Sequence, residues 1–100
     1  MINRDLHIDM DSINRLCQYY QVRELALFGS ALGDSFSPDS DLDFLVEFES
    51  GAQVGFMKLV KMQREFSAIF NRKVDLVPKG GLKPKIRQEI LSNAEVLYAS

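Results

Sequence analysis

Two aspartates one residue apart, Asp41 and Asp43, stand at the head of an apolar run, Leu42-Asp43-Phe44-Leu45-Val46. In an extended strand that spacing turns both carboxylates to one face and sends Leu42, Phe44 and Val46 to the other. Carboxylates held this close resist being ionised together unless a cation neutralises them. Hard oxygen donors with positions left open for water and phosphate suit Mg²⁺. A third acid, Asp75, interrupts a second short apolar run, Val74-Asp75-Leu76-Val77-Pro78. An ionised side chain is costly there unless it is paired or metal-bound. If the two strands lie side by side, Asp75 completes a three-carboxylate site; the alternative is an ion pair with Arg72 or Lys73. For Asp41 and Asp43 the alternative is a solvated acidic turn shared with Asp34 and Asp39.

A second constellation precedes the acids. Glu24-Leu25-Ala26-Leu27-Phe28 reads as a buried strand, and Gly29 directly after it permits a sharp turn and close approach of a ligand to the backbone. Ser30 then fits a helix N-cap, where free N–H groups, the helix dipole and the hydroxyl together suit phosphate oxygens. Capping and phosphate binding use the same geometry, so both can hold. The stretch from Gly33 to Ser40, rich in Gly, Ser, Asp and Pro, is a loop returning the chain for the next strand.

The elements that must position these residues follow from periodicity. Ile13, Leu16, Cys17 and Tyr20 fall at helical spacing behind the capping residues Asp9 and Asp11, which predicts an N-terminal helix with Cys17 in the core. A longer helix is expected from about Ala52 to Phe70. Phe56, Leu59, Val60, Phe66 and Phe70 lie on one side of it, Lys58, Lys61, Arg64 and Glu65 on the other, with Met62 and Ile69 widening the apolar arc. Met57 falls on the charged side and is the residue there most suited to touching a partner. Pro78-Lys79-Gly80-Gly81 reads as a turn, and Pro84 begins a last helix through Leu91, with Ile86, Ile90 and Leu91 toward the core. Ala94 to Ala99 forms a short edge strand or a packed tail.

Composition bounds the function. One hundred residues suffice for a single domain, spanning 1–100, with one core but without room for an added acceptor-binding module. The chain is 46% hydrophobic and 26% charged with a formal net charge of −2, which argues against general nucleic-acid binding. A single cysteine excludes an internal disulfide framework and cysteine-based zinc sites. No signal-peptide core or apolar run of membrane length is present, so a cytoplasmic protein is expected. His7, the only histidine, precedes the first helix and is read as non-catalytic; Glu47 is read as a surface residue.

The order Phe28-Gly29-Ser30, a loop, Pro38-Asp39-Ser40-Asp41-Leu42-Asp43-Phe44-Leu45-Val46 and a later strand aspartate resembles the DNA polymerase beta-like nucleotidyltransferase superfamily. The short length and wording resemble its minimal nucleotidyltransferase branch, over roughly Glu24 to Pro78 with a familiar tail. The resemblance implies an α/β (α+β) nucleotidyltransferase fold, a small mixed sheet flanked by helices. It implies transfer of a nucleoside monophosphate from a nucleoside triphosphate to an acceptor hydroxyl. Asp41, Asp43 and Asp75 would hold two Mg²⁺ ions, Asp75 would be the general base, and Gly29 and Ser30 would position the outer phosphates. Members of this branch are commonly antitoxins that pair with a HEPN-type ribonuclease toxin and add AMP from ATP to a toxin tyrosine, which implies such a partner and a hetero-oligomer here. The competing readings are an antitoxin acting by contact alone, or a transferase for a small-molecule or RNA acceptor. In one respect the chain departs from the family. Many members follow Gly-Ser with a small residue and Ala-Arg-Gly, whereas Ala31-Leu32-Gly33-Asp34 stands here. Lys58, Lys61, Arg64, Arg72 and Lys73 are the candidate replacement cations.

Overall fold

The side chains that repeat at helical and strand spacing in the sequence come together in one apolar layer. A computed structural model describes residues 8–29 and 41–99, apart from the side chain of Ile86. His7, Ser30 and the expected loop from Gly33 to Ser40 lie outside the described residues. The order is α1 (Met10–Tyr19), β1 (Val22–Phe28), β2 (Leu42–Phe48), α2 (Phe56–Phe70), β3 (Val74–Pro78), a single 3₁₀ turn (Lys79–Gly81), α3 (Pro84–Asn93) and β4 (Glu95–Ala99). The four strands form one mixed sheet in the order β3-β2-β1-β4. β1 is antiparallel to β2 and β4, whereas β2 and β3, joined through α2, are parallel.

Alternation along the central strands divides the sheet into two faces. Leu25 and Leu27 of β1, Leu42, Phe44 and Val46 of β2, and Val74 and Leu76 of β3 are all buried on one face. There they meet Ile13, Cys17 and Tyr20 near α1 and Met62 and Phe66 of α2. Phe44 stacks on Phe66 with ring centroids 6.0 Å apart and lies 5.5 Å from the ring of Phe70. α1 is capped as the sequence predicts, with Asp9 accepting from the Ser12 amide at 3.3 Å and the Ser12 hydroxyl at 2.8 Å. Tyr20 donates its hydroxyl to the carboxylate of Glu65, which pins the end of α1 to α2. Burial pushes the Cys17 thiol up to about 12, so this cysteine is an inert core residue.

Two expectations need correction, and one left open is decided. α2 starts at Phe56 rather than near Ala52, because Gly51 sits at φ +86° in a turn and Gly55 takes the N-cap position. Phe56 is therefore in the first turn, beyond the sheet, and is 78% exposed beside Met57 at 80%. Ile90 and Leu91 of α3 are only half-buried, outside the core assembled on the α1 and α2 face. The C-terminal segment is the edge strand rather than a tail, since β4 pairs with β1 from Leu27↔Glu95 to Glu24↔Ala99.

β3, the opposite edge, is held from behind by α2. Its outward-pointing amides at Val74 and Leu76 donate to Ser67 Oγ (3.2 Å) and Gln63 Oε1 (3.0 Å). These side chains satisfy donors that a bare edge would leave to water.

Candidate active site

The parallel pairing of β2 with β3 settles where the acids go. Asp43 stands directly across from Asp75 in the ladder. The ladder continues one step further, with the Leu42 amide donating to the Lys73 carbonyl at 2.9 Å. That brings Asp41 beside Lys73, whose Nζ is 3.9 Å from Asp41 Oδ2. Four ionisable residues thus occupy one corner of the sheet as two cross-strand pairs, one of opposite charge and one of like charge. Alternation puts them on the face opposite Phe44 and α2.

Asp41 itself precedes β2, in an exposed position at the end of the sheet, whereas Asp43 and Asp75 are half-buried within their strands. The carboxyl of Asp43 is raised above the ordinary range, chiefly by burial, then by the charge of Asp75 and of Asp41. Like charges directly opposite each other destabilise a sheet. A divalent cation between them would relieve both the repulsion and the desolvation. Among the described residues no three such side chains already close around a single point, and Asp41 stands beside Lys73 rather than with the other two acids. The donor set, carboxylate oxygens on a half-open sheet end, fits a hard cation such as Mg²⁺.

Gly29 directly follows the neighbouring strand at the same corner, since Phe28 pairs with Asp43. It has φ +84°, and a Cβ built on it would stand 2.6 Å from Asp43 Oδ2. Only glycine suits both the backbone angle and the space. The close approach that the sequence led one to expect between Gly29 and a ligand is thus also an approach to the carboxylate of Asp43.

Other candidates are placed elsewhere. Glu47 shares the acid-bearing face, but four residues along the strand put it roughly 13 Å from Asp43. It pairs with Glu24 in the ladder, and Glu24 is bound to Lys79 at 3.0 Å. A groove of about 520 Å³ lined by Arg15, Leu16, Tyr19, Glu65 and Ile69 lies between α1 and α2, behind the sheet and away from the acids. The position of Lys73 beside Asp41 escaped the sequence reading, which held it as one of five cations and as a possible ion-pair partner of Asp75. The register of the parallel pair was the missing piece.

Comparison with known proteins bears on this arrangement. The model of the nucleotidyltransferase domain family matches residues 10–97. The chain is 35% identical over 83 residues to the protein adenylyltransferase MntA of Thermococcus cleftensis, covering 83% of this chain and 80% of that protein. Its fold is similar to that of a toxin-antitoxin structure solved with AMP-PNP, at a TM-score of 0.75 and 17% identity, over 93% of this chain and 75% of the other. It is also similar to a chain in the structure of the tri-AMPylated HEPN toxin of Shewanella oneidensis with its MNT antitoxin. There the TM-score is 0.66 at 16% identity, over 91% of this chain and 70% of the other. At these identities the two structural likenesses speak for the fold.

Proposed function

The chain belongs to the nucleotidyltransferase domain family, and from that premise we propose that it transfers AMP from ATP to a tyrosine hydroxyl of a HEPN-type ribonuclease toxin. In this reading it is the cytoplasmic antitoxin of the pair, and modification silences the toxin within a hetero-oligomer. The pairing of Asp43 with Asp75 across β2 and β3, with Gly29 against Asp43, is the observation that carries the chemistry. The similarity to a protein adenylyltransferase supports a protein acceptor.

Asp41, Asp43 and Asp75 would hold the metal. Two Mg²⁺ ions held there would supply charge neutralisation for the triphosphate and would acidify the acceptor hydroxyl. Asp75, half-buried and across from Asp43, takes the proton from the tyrosine hydroxyl as general base. The tyrosine oxygen forms a bond to the α-phosphorus, the bond from that phosphorus to the bridging oxygen breaks, and pyrophosphate leaves. The backbone at Gly29 and the hydroxyl of Ser30 orient the outer phosphates so that the displacement is in line.

A second reading, neutralisation by contact alone, draws on Ala31-Leu32-Gly33-Asp34, where many members carry an arginine. The two separate in a labelling experiment with the protein encoded beside this chain. ATP labelled on the α-phosphorus should mark that protein and ATP labelled on the γ-phosphorus should not. A complex that forms without either label would overturn the transferase reading.

A further inference from the structure

We propose that Lys73 is the cation that grips the triphosphate at this site, in place of the arginine missing after Gly29-Ser30; the inference rests on the transferase reading above. Five cations were candidates by sequence, and the fold separates them. Lys58, Lys61 and Arg64 belong to α2, which packs through Met62 and Phe66 on the face of Phe44, so the sheet stands between them and the carboxylates. Arg72 lies in the bend that leads into β3, and it is half-buried and already partnered. Lys73 shares the side of Asp75, and its Nζ stands 3.9 Å from Asp41 Oδ2.

The ion pair with Asp41 is loose and solvated, with side chains 70% and 46% exposed, so its disruption costs little. Were Asp41 to turn to a divalent cation, the Lys73 ammonium would be free at the rim of the site. The triphosphate and the three carboxylates together carry more negative charge than two divalent cations would balance. An ammonium on a flexible stem, at the mouth and on the correct face, is placed to supply charge-assisted hydrogen bonds to phosphate oxygens.

The two possible roles of Lys73 differ in sign. If it serves only to hold Asp41, removing it frees that carboxylate and nucleotide affinity in Mg²⁺ stays unchanged or rises. If it grips phosphate, the affinity falls. Binding of ATP in Mg²⁺ should be measured by calorimetry for the wild type and for Lys73→Gln, Lys73→Arg and Lys61→Gln, with AMP as the comparison ligand. Lys73→Gln should lose about tenfold or more in ATP affinity with little change for AMP. Lys73→Arg should retain most of the affinity, and Lys61→Gln should match the wild type. Undiminished ATP binding by Lys73→Gln would overturn the assignment while leaving the transferase reading in place. A wild-type chain that binds no nucleoside triphosphate would overturn both.

Discussion

Asp43 is the residue on which the site turns, and its environment makes opposite demands on stability and function. Its carboxyl is raised by burial, by Asp75 and by Asp41. A raised acid binds more protons in the folded than in the unfolded chain over the interval between the two pKa values. The metal-free protein therefore loses stability as pH climbs from the ordinary aspartate range through the raised value. Asp43→Asn removes a like charge and should stabilise the metal-free fold at neutral pH by up to about 1 kcal/mol while abolishing transfer, as thermal unfolding in EDTA and a transfer assay would read. Added Mg²⁺ should raise the melting temperature of the wild type and leave Asp41→Asn/Asp43→Asn unmoved, because a ligand stabilises only the state that binds it. Gly29→Ala must adopt a positive φ and meet Asp43 Oδ2, so it should cost about 1–3 kcal/mol in urea unfolding and abolish transfer. That Asp75 would stand beside Asp43 was legible in the sequence as soon as their two strands were taken as neighbours, because each aspartate interrupts a short apolar run. The pairing of Asp41 with Lys73 was not, because the sequence does not state the register of two strands separated by a helix.

At the scale of elements, α2 does more than cover the core. Through Gln63 and Ser67 it holds the outer amides of β3 and so fixes the strand that carries Asp75. Gln63→Leu would leave the buried Leu76 amide without its acceptor, at a cost of about 1–3 kcal/mol. A lowered urea midpoint with an unchanged slope is the expected reading. Phe66→Ala, which opens the core against Phe44, should cost about 3–5 kcal/mol by the same measurement. Strand positions and helix existence followed from periodicity. The start of α2 did not, since apolar spacing continues through residues that Gly51 and Gly55 keep out of the helix. The role of α3 was likewise overstated by its pattern. Ile86, Ile90 and Leu91 fall at helical spacing, but Ile90 and Leu91 end half-buried, because α1 and α2 already fill the core face.

For the molecule as a whole, α1 and α2 pack on one face of a small sheet, and the acids Asp43 and Asp75 lie paired across its neighbouring strands β2 and β3. The chain carries a formal net charge of −2, which does not suit general attraction to nucleic acid. Among the described residues no helix is long and apolar enough to cross a membrane. The measurement that meets the central claim most directly is the intact mass of the adjacently encoded helical protein after incubation with this chain, ATP and Mg²⁺. One or more added AMP units, carried on a tyrosine and absent with Asp41→Asn/Asp43→Asn, is the predicted result. A stable complex whose partner keeps its unmodified mass in the presence of both substrates would contradict it.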